Sequence, residues 1–236
     1  MSGPHNGVAR IRFESDSGVQ ILSEEVCSEV NRVLKSLALA VPPRVVIFEA
    51  TGRTFLAGAN LHELRALSRR SARQYSRRGQ KLFRRIADLP SITIAAIQGA
   101  CAGGGCELSL ACDFRYLARG ARIGLPEVTL GLIPGWGGTA RLVRQLGPAA
   151  ARRLILTGDL VPAEEALRLG LAHEVFADAE FAEKLAEKVA GFEKCAPLAV
   201  AASKRLISEG HYFDLADFLE EESRYFARCY GTSEPR

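Results

Sequence analysis

The stretch Ile94–Leu108 constrains this chain more than any other, because an apolar run, Ile94-Ala95-Ala96-Ile97, leads through Gly103-Gly104-Gly105 to Glu107. It reads as a buried strand that turns through a glycine hinge straight into a helix. Glycines at a helix start let the backbone approach a ligand closely. They also present N–H groups without intrahelical acceptors at the positive end of the helix dipole. Such a place receives an anion or a developing oxyanion, and a carboxylate in the first helical turn beside it points to acid/base chemistry.

A chain of 236 residues with 47% apolar composition can bury a sizeable core, as one large domain or one domain plus a helical appendage. The net charge of +4 and pI near 8.8 allow an anionic ligand but fall short of a nucleic-acid-binding signature. The opening residues 1–7 contain no apolar signal core, and no uninterrupted apolar stretch is long enough to span a bilayer, so the expectation is a cytoplasmic protein without membrane contact. Six cysteines show no C-x-x-C pairing and read as buried free thiols; the four histidines are scattered, and no metal site is expected.

Along the chain, Val8–Phe13 alternates as a half-solvated strand, and Ser23 is placed to cap a helix carrying Leu22, Val26, Val30, Val33, Leu34 and Leu37. Val45–Phe48 is a continuous apolar strand. After it, Ala57-Gly58-Ala59 forms a small-residue loop before Asn60, which with Glu63 resembles a capping box. Taken alone, that loop is a turn; beside the glycine helix it is a second candidate donor.

Arg65 to Arg85 holds nine cations and no acid, with Leu67, Tyr75, Leu82, Phe83 and Ile86 supplying an apolar side. One or two amphipathic helices are expected there. Their cationic face is open to three readings: a solvated surface, a docking rim for a phosphorylated ligand, or an RNA patch. Sparse aromatic interleaving weighs against single-stranded nucleic acid. The glycine helix is expected to run to Cys112 and a strand to follow at 113–117. Glu127 is then almost surrounded by apolar residues, so it must find a partner or raise its pKa.

Helices are expected at 139–146, stopped by Gly147-Pro148, at 152–158, and from Pro162 to Gly170, followed by a last strand at 173–176. The rest reads as helical, with Asp178 capping one helix, Pro197 opening a second, and a third over 213–230.

Together, Ala57-Gly58-Ala59-Asn60, Gly103-Gly104-Gly105-Cys106-Glu107-Leu108, Ala111-Cys112-Asp113, Leu125-Pro126-Glu127, Gly131-Leu132-Ile133-Pro134 and Gly137-Gly138-Thr139-Ala140-Arg141-Leu142 resemble the enoyl-CoA hydratase (crotonase) family, in its order and spacing from Val8 to Tyr230. The resemblance implies an α/β crotonase-like superhelix of repeated ββα units over 1–190, although no repeat is legible in the sequence. It implies a helical oligomerisation region over 191–236, building a homotrimer or a dimer of trimers. It further implies an acyl-CoA substrate, coenzyme A being part of that substrate rather than a separate cofactor.

By motif position, the thioester carbonyl would sit between the N–H groups of Ala59 and Gly104. Glu107 would hold and activate water, and Glu127 would exchange the proton with the α-carbon. Ala57, Gly58, Leu61, Gly103, Pro134, Gly135 and Trp136 would line the substrate. The expected activity is hydration of a 2-enoyl-CoA, with double-bond isomerisation and a non-catalytic or RNA-binding role as alternatives. Three departures from the pattern stand out: Asn60 replaces the usual acid, the Asn-Pro segment expected around 14–22 is absent or shortened, and the sequence ends before a further helix that covers the acyl pocket in relatives. Trp136 stands where a smaller residue is usual, and would narrow the acyl pocket or pack at an interface.

Overall fold

The computed structural model describes residues 7–39, 41–210 and 214–231. Among the described residues, nine strands form two sheets. Five of them, β1 (Val8–Phe13), β2 (Val45–Ala50), β4 (Ile92–Ile97), β6 (Phe114–Ala118) and β9 (Glu174–Phe176), lie parallel in the order β1-β2-β4-β6-β9. A second sheet orders β3 (Thr54–Leu56), β5 (Ala100–Ala102), β7 (Arg122–Gly124) and β8 (Leu160–Pro162), with only the β7–β8 pair antiparallel.

The two sheets expose a repeat. In each of the pairs β2–β3, β4–β5 and β6–β7, the first strand joins the larger sheet, the second joins the smaller one, and helical structure follows. The helices after β3 are α2 (Leu61–Arg65) and α3 (Arg69–Ala87), and α4 (Gly104–Ser109) follows β5. After β7 comes a 3₁₀ turn, Pro126–Leu130, and then α5 (Gly138–Thr157). The second strand of every pair is three residues long, too short for alternation to emerge from sequence.

Helix α1 (Glu24–Leu39) precedes β2 and is capped by Ser23, whose Oγ accepts the Val26 N–H at 3.2 Å. Strand β4 is buried throughout because it faces two cores. Ala95 and Ile97 join the main cluster with Leu22, Phe55, Phe83 and Leu108; Ile92, Ile94 and Ala96 join a second cluster with Leu185 and Val189 of α7 (Phe181–Phe192). Each large apolar side chain sealed this way contributes about 1.5–3 kcal/mol relative to exposure.

Several sequence expectations are corrected. The central run is not one strand entering a helix: β4 stops at Ile97, the chain crosses at Gln98-Gly99 into the smaller sheet as β5, and only then does Gly103, at φ 52°, turn it into α4. The helix ends at Ser109 rather than Cys112: the chain tightens into turns, Ala111 N–H donating to Leu108 O at 2.9 Å and Cys112 N–H to Ser109 O at 3.1 Å. Buried Arg115 donates to Ser109 O at 3.1 Å and Cys112 O at 3.2 Å, and also to Leu171 O at 2.6 Å. Glu63 does not complete a box with Asn60. Asn60 Oδ1 accepts from His62 N–H at 2.9 Å, whereas the Glu63 carboxylate accepts from Glu24 N–H at the start of α1, tying two helices together.

Asp178 caps no helix; it accepts the Gly120 N–H at 2.9 Å, and a short 3₁₀ turn, Asp178–Glu180, precedes α7. The helix break expected at Gly147 is present: its φ of 78° and ψ of 169° are non-helical, and the helical stretches on either side lie within Gly138–Thr157, together labelled α5. Strand β8 was not expected, and α6 (Ala163–Arg168) follows it with Pro162 at its N-cap. Helix α8 (Pro197–Glu209) is anchored by Lys204, whose Nζ reaches Ser91 O at 2.6 Å and Asp113 Oδ2 at 2.7 Å. Helix α9 (Leu215–Cys229) buries none of its residues. No helix among the described residues is long and apolar enough to cross a membrane.

Candidate active site

Two loops and one helix start converge. The segment 57–60 lies beside Leu22, whose N–H donates to Gly58 O at 2.9 Å, and Leu22 and Ala59 form an isolated parallel bridge. Gly58 adopts φ 108°, and a Cβ there would sit 3.2 Å from Ala102 O and 3.8 Å from Gly104 N. The 57–60 loop therefore abuts the first residue of α4. Gly104 has no intrahelical acceptor for its N–H. Glu107, in the same turn, donates its own N–H to Gly103 O at 2.9 Å.

The Glu107 side chain is 3% exposed. Its Oε1 accepts two backbone N–H groups, from Trp136 at 2.7 Å and Gly138 at 2.8 Å. Both bonds fall on one oxygen. Burial pushes its pKa up to about 7, the Gly138 N–H opposes that rise, and the neighbouring Glu127 charge adds to it. Glu127 approaches from the Pro126–Leu130 turn; a Cβ on Gly103 would lie 3.1 Å from its Oε1. Burial raises this carboxyl as well, and its Oε2 is buried without a hydrogen-bond partner. A buried polar oxygen left unpaired is costly, about 1–3 kcal/mol.

The loop 134–138 that clamps Glu107 is itself held, by residues that the sequence reading missed. Ser76 Oγ and Gln80 Nε2, one turn apart on α3, donate to Gly135 O at 2.6 and 3.0 Å. Arg141 Nη1 donates to Trp136 O at 3.1 Å. The signal was present as a polar pair at i, i+4 on an otherwise basic helix; its partner, a loop carbonyl more than fifty residues away, was not.

Of the other predicted lining residues, Pro134 is buried and Gly135 is half-buried within this loop. Ala57 is exposed and gives its N–H to Gln20 O at 2.8 Å, and Leu61 is 46% exposed at the start of α2, so both stand at the margin. Trp136 is 4% exposed and packs against Tyr75 and Phe83 of α3, with ring centroids at 5.1 and 5.5 Å.

The basic run does form helices, and part of its charge is spent locally, Arg78 pairing with Glu24 and Arg84 with Asp88. Arg77, Lys81 and Arg84 also border a cleft of about 1210 Å³ shared with Arg141 and Lys204. Among the described residues no group of three or more His, Cys, Asp or Glu is placed to hold a metal ion.

The site thus joins two raised carboxyls to a pair of small-residue loops, one at a helix start. Compared with known proteins, residues 3–234 match a family model described as enoyl-CoA hydratase/isomerase. The chain is 34% identical to the short-chain-enoyl-CoA hydratase of Clostridium acetobutylicum, over 97% of this chain and 88% of that protein. It is 39% identical to the crotonyl-CoA hydratase of Syntrophomonas wolfei, over 82% of this chain and 76% of the relative. A solved enoyl-CoA hydratase from Bacillus anthracis superposes with a TM-score of 0.91 at 35% identity, covering 97% of this chain and 89% of that one.

Proposed function

The chain belongs to the enoyl-CoA hydratase/isomerase family, and from that premise we propose that it adds water reversibly across the double bond of a 2-enoyl-CoA, giving a 3-hydroxyacyl-CoA. One observation carries the reading: two carboxyls with raised pKa, Glu107 pinned through one oxygen and Glu127 with a buried, unpartnered oxygen, flank the Gly103-Gly104 turn.

In this mechanism the thioester carbonyl lies between the N–H groups of Ala59 and Gly104. Water attacks the β-carbon; the C=C π electrons move toward the carbonyl oxygen, and negative charge develops there as an enolate. A preorganised donor aimed at that oxygen is worth roughly 3–4 kcal/mol by precedent. Glu107 accepts a proton from the attacking water, its free oxygen facing the water while Oε1 stays bonded to the loop. Glu127 in its protonated form delivers a proton to the α-carbon. Their environments differ as acid and base require: Glu107 keeps two N–H donors that favour its ionised form, whereas the unpartnered Glu127 oxygen favours the neutral form.

For the coenzyme A portion, a groove of about 1090 Å³ beside the 57–60 loop offers polar contacts from Ser15, Ser17, Gln20, Ser23 and Asn60; its charges, Arg10 and Arg12 against Glu14, Glu25 and Glu29, do not by themselves select an anion. A cytoplasmic, self-associating protein is part of the same reading. Exposed Ile133, Leu156, Leu219 and Phe226, at 75, 70, 50 and 65% exposure, support assembly as a homotrimer or dimer of trimers through apolar surface that includes the 191–236 region.

Glu107→Gln and Glu127→Gln test the assignment. Each should lower kcat for crotonyl-CoA hydration by about 10²–10⁴-fold, followed through loss of the conjugated thioester absorbance, with the far-UV spectrum unchanged. Near-normal turnover in either variant would rule out the two-carboxylate mechanism.

A further inference from the structure

We propose that Trp136 sets the acyl-chain length this enzyme accepts, by sealing the turn at Gly104 off from a cavity between α1 and α3. The inference rests on the enoyl-CoA hydratase reading of the site.

The indole spans two helices. Its benzene edge lies against Gly104, where a Cβ would come within 3.0 Å of Cζ3 and 3.2 Å of Cε3. Its pyrrole side lies flat on Gly79 of α3, where any Cβ would fall inside the van der Waals radii of Cγ and Cδ1. Gly79 has ordinary helical dihedrals, so no backbone demand selects glycine there. The missing side chain is required by the space the indole occupies. The Tyr75 and Phe83 rings pack on the indole as well, which fixes its orientation.

Beyond the ring lies a cavity of about 420 Å³ whose walls include Cys27, Asn31, Tyr75, Gly79 and Leu82. That volume is in the range of small-molecule pockets, about 300–1,000 Å³. Trp136 belongs both to the wall of this cavity and to the surroundings of Gly104, so the indole is the partition between them. On this proposal a short acyl group stays on the Gly104 side of the ring, and a longer one would need the space beyond it, from which the indole separates it. Because the Trp136 N–H also holds Glu107, the partition cannot swing away with its backbone without releasing a catalytic carboxylate.

The test compares wild type, Trp136→Ala, Trp136→Phe and the double variant Trp136→Ala/Gly79→Leu. The double variant returns bulk from the opposite wall, on a helix that tolerates leucine better than glycine. For each, kcat/KM is measured with crotonyl-CoA and trans-2-decenoyl-CoA, and Kd for butanoyl-CoA and decanoyl-CoA is measured by calorimetry. The ten-carbon to four-carbon ratio of kcat/KM should rise at least about tenfold in Trp136→Ala, since each methylene newly accommodated is worth about 10-fold or more. It should rise less in Trp136→Phe and fall back in the double variant. A ratio unmoved in both single variants, or a wild type that already favours the ten-carbon substrate, overturns the proposal. If Trp136→Ala does not fold, Trp136→Phe and the double variant decide it by the same ratio. No hydration of either substrate by wild type would defeat the hydratase reading instead, and the Kd ratios would still report on the partition.

Discussion

Trp136 gives its backbone N–H to Glu107 Oε1 at 2.7 Å while its side chain fills the space between Gly79 and Gly104. One residue thus fixes the carboxylate of α4 through its main chain and shapes the site through its side chain. The clamp is completed by the Gly138 N–H at 2.8 Å, and a Cβ at Gly138 would reach Glu107 Cγ at 2.8 Å.

Glu107 makes stability depend on pH in a defined direction. Its pKa is raised in the fold from 4.5 to about 7, so between those values the native state holds a proton that the unfolded chain has lost. Stability from this group is full below about pH 4.5 and is lost as pH rises toward 7. Replacing it by Gln removes that slope. Urea denaturation at several pH values should show Glu107→Gln gaining on wild type as pH rises from 4.5 to 7, by an amount on the order of 3 kcal/mol.

His173 has the opposite sign. Its Nδ1 accepts the Arg115 N–H at 3.1 Å, and burial, with the Arg115 charge, depresses its pKa to about 4. The neutral ring contributes stability above about 6.5 that is lost as pH falls toward 4. In His173→Gln the loss of stability between pH 6.5 and 4 should be shallower than in wild type by the same denaturation series; an identical pH slope would count against a buried neutral imidazole.

Arg115 is 3% exposed and supports three carbonyls, at Ser109, Cys112 and Leu171, directly behind the Glu107 helix. Arg115→Met removes the donors and leaves those oxygens buried, so unfolding free energy should fall by about 2–5 kcal/mol. The midpoint of urea unfolding measures it.

Gly105 admits no side chain because a Cβ would meet Leu56 Cβ at 2.6 Å and the Leu56 main chain. Gly105→Ala must push α4 away from β3, and overpacking of this kind costs about 1–3 kcal/mol. Because the displacement moves Gly104 and Glu107 with the helix, crotonyl-CoA turnover should fall along with the melting temperature.

Lys204 is the cation that fastens α8 to the sheet, through Ser91 O and Asp113 Oδ2. Lys204→Met should leave β2, β4 and β6 protected in hydrogen exchange while amides of α8 and α9 exchange faster. Uniform protection across both helices would show that the anchor lies elsewhere.

The sequence by itself marked the buried strands and the candidate site residues. Continuous apolar runs such as Val45–Phe48 and Ile92–Ile97 need burial on both faces, and the glycines before Glu107 need a close backbone approach at a helix start. What it left undetermined were features set by distant partners. The second sheet is built from three-residue strands whose existence depends on pairing rather than pattern. Glu63 was free to cap its own helix but found the Glu24 N–H closer to its carboxylate. Most of all, the sequence paired Glu107 with Glu127 and named Trp136 without showing what any of them touches. Only the tertiary structure set one carboxylate under two N–H donors, left the other with an unpaired buried oxygen, and laid an indole on Gly79, because a local pattern fixes where a side chain can point but not what it will meet.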